Sequence, residues 1–194
     1  MSRPSVARRL ALRAPAPATV LVARISGARH LVAAHAIDVG ATILELDGVV
    51  AATPDRYSVQ IGRDQHLAPP ADAGDDDDAY FWRYLNHACE PNAAFSFGAS
   101  DDDGDDTAPV RLVAIRPIRR GGEITFDYTT TEWDMSVPFP CGCARCLAQP
   151  AKARVVRGYK HLTETERRRI SAHVAPHLRQ LARERSREAQ RAAP

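Results

Sequence analysis

The chain contains no apolar run of the roughly 18 residues that a membrane-crossing helix requires, so no helical membrane span is expected. It also lacks the apolar centre of a secretory signal, because Arg8, Arg9 and Arg13 interrupt the one candidate stretch. No Walker A loop and no dinucleotide glycine fingerprint are present. No serine or cysteine stands in a motif that would complete a hydrolytic triad. Acidic residues are missing from Met1 to Ile37, where arginine, alanine and proline dominate. Residues 1–17 therefore read as a disordered basic leader, and their composition is also that of a transit peptide. Cysteine is scarce, with only four residues. Without a secretion signal, these argue against a disulfide framework and for a reducing, intracellular setting, here the cytoplasm.

What is present suffices for one domain. The chain has 194 residues, 44% of them hydrophobic, enough for a proper core plus tails. The net charge is only +2 but is segregated. Two aspartate runs, Asp72 to Asp78 and Asp101 to Asp106, read as surface loops, and the segment from Arg154 onward is strongly basic. Basic ends could meet nucleic acid or an acidic partner. Solvated tails are the simpler reading, and no aromatic stacking platform accompanies the arginines.

Short β-branched segments bounded by turn residues predict a mostly β fold. Strands are expected at 18–25, 41–50, 56–62, 93–97 and 110–118, with a re-entrant strand at 123–128. Helix is expected only near the C-terminus. There Thr163 and Glu166 suit a capping box, Ile170, Val174, Leu178 and Leu181 share a face, and Pro176 is expected to break or kink the helix.

Three segments carry the chemistry: Asn86 to Asn92 (NHACEPN), Gly122 to Tyr128 (GEITFDY) and Pro140 to Cys146 (PCGCARC). Cys141, Cys143 and Cys146 place three thiols within reach of one ion, and Cys89 is a distant fourth. A four-sulfur site would be closed and structural, since no position is left for water. Four free buried thiols are the competing reading, and His87 and His161 are competing ligands. Tyr128 at a strand end is by itself a packing residue, and Asn86 with His87 is by itself hydrogen-bonded structure.

Together and in this order, the segments resemble the two signature motifs and post-SET cysteines of SET-domain protein-lysine methyltransferases. The resemblance covers Arg83 to Cys146, extends more weakly to Val20, and takes in the run Val156 to Leu162. It implies small β-sheets with a pseudoknot plus a C-terminal helix. It divides the chain into a SET domain at 18–130, a post-SET zinc-binding segment at 131–162 and a basic helical segment at 163–194. It implies S-adenosylmethionine as cofactor and one structural zinc held by Cys89, Cys141, Cys143 and Cys146. Tyr128 matches the catalytic tyrosine, and Phe126 and Tyr57 the aromatics of a lysine channel. Asn86 and His87 match cofactor contacts, as does the loop at Ala28, Arg29 and His30. Tyr159 is a candidate to cover the adenine, with Trp133 as competitor. The chain departs from the family pattern in this loop, where Ala28 and His30 replace glycines if it is anchored on Leu31 to Ala33 and one residue is extra if it is anchored on Gly27, and in a cysteine spacing shorter by two residues. The implied substrate is a protein with a basic, lysine-containing segment, acted on by a monomer. The alternative is a catalytically degenerate SET fold serving as a zinc-stapled interaction module.

Overall fold

A computed structural model describes residues 19–74, 78–98 and 109–192. The leader at 1–17, the aspartate run at 101–106 and part of the run at 72–78 lie outside the described residues. The architecture is a set of small sheets. Strands β1 (Val20–Ile25) and β2 (Ala28–Ala33) form an antiparallel hairpin. Its turn has positive φ at both central residues, Ser26 at 50° and Gly27 at 86°, the hand that matches strand twist. The segment expected as a cofactor loop at 28–30 is thus the start of a strand.

Strands β3 (Thr42–Glu45), β8 (Ala93–Phe97) and β9 (Val110–Ala114) form one antiparallel sheet in the order β3–β9–β8. Strands β4 (Val49–Ala51), β5 (Val59–Gly62) and β6 (Gln65–Ala68) form another, in the order β4–β6–β5. The single strand expected at 41–50 is therefore two strands in two sheets. Gly48 marks the break, since a Cβ there would meet the Ala68 carbonyl oxygen at 2.4 Å. The strand expected from Arg56 begins only at Val59, because Asp55 Oδ1 accepts the Tyr57 N–H at 2.7 Å and holds 55–58 as a turn.

Two two-residue ladders organise the rest. Strand β7 (Asn86–His87) runs parallel to β10 (Thr125–Phe126), and β11 (Phe139–Pro140) pairs with β12 (Val155–Val156). The main core joins Leu31, Leu67, Leu112, Ile124, Phe95 and Phe126. Helix α1 (Ala144–Ala148) follows the cysteines, and α2 (Glu164–Ile170) carries the expected capping box of Thr163 and Glu166. Pro176 opens α3 (Pro176–Ala192), a position where its missing N–H costs nothing.

The expected apolar face forms a second core, with Ile170, Val174 and Leu178 buried around Tyr159 and Leu181 partly buried. This core is latched to the residues that follow Tyr128. The carbonyls of Thr130, Thr131, Glu132 and Trp133 accept, in order, from Ala175 N, His177 Nε2, Tyr159 N and Lys160 N, at 2.8 to 3.0 Å.

Candidate active site

The β7–β10 ladder sets Asn86 beside Thr125 and His87 beside Phe126. The turn after β7 locks the pairing. Asn92 donates from Nδ2 to the Glu123 carbonyl at 2.7 Å and accepts the Thr125 N–H on Oδ1 at 3.0 Å, and Ala88 N donates to Phe126 O at 3.0 Å. Two segments distant in sequence are thereby fixed side by side. Asp127 caps the short turn at Tyr128–Thr130 by accepting from the Thr129 N–H and hydroxyl at 3.0 and 2.7 Å. Its carboxylate is buried and faces Arg154 Nη2 at 3.1 and 3.2 Å.

The Tyr128 hydroxyl donates to the Leu85 carbonyl at 2.6 Å, and its ring lies 4.7 Å from that of Phe126. Phe126 is in turn edge-on to Phe95 at 4.7 Å. Burial, with Glu132 and Glu123 nearby, pushes the Tyr128 phenol well above its ordinary value, so it stays protonated and serves as a donor.

A cavity of about 470 Å³ opens at this junction. One wall is Asn86 to Ala88 with Thr125 and Tyr128, another is Phe139 with Gly142 to Ala144, and His30, Glu90 and Glu123 complete it. Among the described residues the lining holds two carboxylates and no lysine or arginine; Glu90 is met by Arg145 at 3.4 Å, and Glu123 suits a cationic ligand. Glu123 Oε1 receives the Asn86 amide at 3.1 Å and lies 2.6 Å from His30 Nδ1.

Beside the cavity, the four cysteines converge, with all four sulfurs within 4.8 Å of one another. Cys89 Sγ lies 3.6 Å from Cys141 Sγ and 3.7 Å from Cys146 Sγ. Four sulfurs about 2.3 Å from one zinc ion would sit about 3.8 Å apart. The donor set is thus compatible with tetrahedral zinc despite the short spacing. Burial raises the Cys89 thiol, and burial also raises Cys141, to about 11. Burial opposes ionisation of Cys143 too, but the backbone N–H groups of Cys89 and Cys146 and the adjoining thiols outweigh it and bring Cys143 down to about 6. A cation at the centre would favour thiolate at all four. The alternative ligands do not join the cluster: His161 pairs with Asp134 at 2.9 Å, and His87 lies outside the group of mutually close donor atoms.

His87 links the two sites. Its Nδ1 accepts the Tyr128 N–H at 3.2 Å, which leaves the Nε2 proton directed at Cys89 Sγ, 3.6 Å away. Burial lowers its pKa to about 4, against the pull of Asp127. The 3.5 Å approach of His87 to Asp127 is therefore not an ion pair at neutral pH.

Not every residue implied by the resemblance meets at the cavity. Ala28 and Arg29 lie on β2, where the Arg29 carbonyl receives the Asn86 amide at 3.4 Å while its guanidinium caps the Tyr84 ring and hydroxyl. Tyr57 sits in the turn before β5 under the Arg56 guanidinium, at 5.0 Å. Tyr159 and Trp133 face each other at 6.0 Å, and Tyr159 is buried in the second core, lining a different cavity. Phe139 joins Tyr128 and His87 in walling the first cavity, edge-on to them at 5.8 and 6.0 Å. Phe139 carries no signal of its own in the sequence. Glu132 was also missed: it is buried, and Oε1 accepts from Gln60 N at 2.9 Å and Thr131 Oγ1 at 3.1 Å.

A model of the SET domain matches residues 28–129, more than half of the 194-residue chain. The chain belongs to the SET-domain family. Methyltransferase flvH of Aspergillus flavus is 37% identical over 83 residues, 39% of this chain and 42% of that protein. The H3 lysine-9 specific histone-lysine N-methyltransferase dim-5 of Neurospora crassa is 35% identical over 77 residues, 37% of this chain and 23% of that protein. The matched region thus spans less than half of each relative. The SET fold recurs in crystal structures of KRYPTONITE. In its complex with mCHG DNA and SAH, the TM-score is 0.52 at 24% identity, over 71% of this chain and 28% of that one. In its complex with mCHH DNA, H3(1-15) peptide and SAH, the TM-score is 0.50 at 24% identity, over 64% and 27%.

Proposed function

We propose that this SET-domain protein transfers a methyl group from S-adenosylmethionine to the side-chain amine of lysine in a protein substrate. The observation that carries the reading is the single cavity at which Asn86, His87, Tyr128 and the cysteine-bearing segment meet. The KRYPTONITE structures hold SAH, the demethylated form of that cofactor. When bound, the cofactor supplies a methyl group on a cationic sulfonium. Glu123 fits a ligand of that charge, and Phe139 offers a flat apolar wall for a base.

The chain's own residues then have separable roles. The Tyr128 hydroxyl, held protonated, positions and stabilises charge at the reacting centre and abstracts no proton. Alignment of the amine supplies much of the rate. Phe126 and Tyr57 belong to the lysine channel. Phe126 has no hydroxyl to crowd a methylated amine, so products beyond monomethyl-lysine are expected. Asn86, His87 and the start of β2 at Ala28, Arg29 and His30 contribute to the cofactor wall. The four cysteines hold zinc as a staple between the NHACEPN turn and the post-SET segment. The substrate is a protein carrying a basic lysine-containing segment, and the enzyme acts as a monomer in the cytoplasm.

One observation favours the degenerate alternative. His30, which takes a glycine position when the loop is anchored on Leu31 to Ala33, places an imidazole on the cavity wall and engages Glu123. Calorimetry with S-adenosylmethionine, together with labelled methyl transfer to a mixture of basic proteins, decides between the two. Binding plus transfer that is lost in Tyr128→Phe supports the enzyme. Neither binding nor transfer by zinc-loaded protein would overturn it.

A further inference from the structure

A second cavity, of about 450 Å³, lies between α2 and α3. Its charged lining is Arg167, Arg168, Arg183 and Arg187 against the single carboxylate of Glu164. We propose that this groove binds the phosphate backbone of duplex nucleic acid.

The arginines are available. Arg183 and Arg187 are exposed and make no ion pair or hydrogen bond among the described residues. Glu184, between them, is drawn off to Arg63 and to Gln180 Nε2, the latter at 3.0 Å. Glu164 lies 3.9 Å from Arg168, an exposed pair of little strength. Arg167 is already oriented. Its guanidinium lies 5.0 Å over the Tyr159 ring and Nη2 donates to the Lys160 carbonyl at 3.1 Å. Its buried Nε has no partner. The hydroxyls of Ser171 and Ser186 donate to helix carbonyls at 2.8 and 2.9 Å, so recognition falls to the guanidinium groups, whose planar fork matches phosphate oxygens.

A repeating ligand fits better than a single phosphate. Arginines recur every fourth residue along α3, at 179, 183, 187 and 191, about 6 Å of rise per step with a slow winding around the axis. That row extends past the cavity, where one phosphate or phosphoserine reaches only part of it. Duplex rather than single strand follows from the aromatics. Tyr159, the groove's one aromatic, is buried beneath Arg167 and offers no face on which a base could stack. Backbone contacts of this kind position without reading sequence.

The test is fluorescence anisotropy of a 20-base-pair duplex with the full chain across a salt series. With three or four phosphates engaged, log K should fall against log salt with a slope of about −3. Arg183→Gln with Arg187→Gln should weaken binding and flatten the slope by about 2, with an unchanged circular dichroism spectrum and melting temperature, as both side chains are exposed. Inorganic phosphate, a phosphoserine peptide and single-stranded RNA are run as competitors, and each should compete less well than unlabelled duplex. A double variant that binds duplex like wild type would overturn the proposal by assigning the affinity elsewhere, such as the basic leader. A phosphopeptide or free phosphate that displaces the duplex at lower concentration than unlabelled duplex would overturn it as well.

Discussion

The imidazole of His87 stands 3.6 Å from the sulfur of Cys89. Its other nitrogen holds the backbone of Tyr128, so one ring couples the cysteine cluster to the tyrosine. His87→Phe preserves the flat ring and removes both hydrogen bonds. Loss of an outer hydrogen bond to a metal ligand lowers affinity about 10- to 100-fold. Zinc competition with a chromogenic chelator should show a drop of that size. An unchanged zinc affinity would mean that the ring merely packs.

Tyr128→Phe removes one hydroxyl and leaves the ring stacked on Phe126. Losing a hydroxyl oxygen positioned beside the cationic reacting centre is expected to cost about 10²-fold in kcat or more. S-adenosylmethionine affinity should hardly move, because the hydroxyl is engaged by the Leu85 carbonyl. Single-turnover transfer alongside calorimetry separates the two quantities.

Phe126→Tyr adds a hydroxyl beside Tyr128 in a packed core. Mass spectrometry of the product should shift toward monomethyl-lysine. A wild type that yields only monomethyl product on a good substrate would refute the open-channel reading.

Burial raises the pKa of Glu132 from 4.5 to about 7, with Gln60 N–H and Thr131 pulling the other way. Between those values the folded state binds more protons than the unfolded one. Stability from this group is therefore greatest below pH 4.5 and declines as pH rises toward 7, by up to about 3 kcal/mol. Glu132→Gln, which mimics the protonated form, should flatten the urea midpoint over pH 5 to 8. A variant that keeps the wild-type slope would place the titration elsewhere.

Arg154 is the counter-ion of the buried Asp127 carboxylate. Arg154→Ala leaves that charge with only Thr129 donors, at an expected cost of about 3 kcal/mol. Arg154→Ala with Asp127→Asn should recover part of the loss. Urea unfolding of the single and double variants measures the coupling.

Local pattern made much of this legible. The β8 strand, the start of β9, the Thr163–Glu166 capping box and the grouping of Cys141, Cys143 and Cys146 follow from residue type and spacing, whereas the place of Cys89 beside them was implied by the family resemblance. Contacts between distant segments carried no such signal. The resemblance makes the start of ARHLVA a cofactor loop, whereas the Ser26–Gly27 turn folds it onto β1 as a strand. The resemblance leaves Tyr159 and Trp133 as rival candidates to cover the adenine, and the Tyr159 N–H is claimed by the Glu132 carbonyl with its ring in the second core. Phe139 came to the cavity through a two-residue ladder with Val156 that no periodicity announces. Gln60 and Glu132 are 72 residues apart in sequence.

The four carbonyls of Thr130 to Trp133 bear on how the protein can be divided. The family match ends at 129; a chain trimmed there would lose these carbonyls altogether, and one trimmed just before Tyr159 would leave all four without their partners. The C-terminal helices are in that sense a brace, and any shortened or tagged version must keep them to report on the intact site.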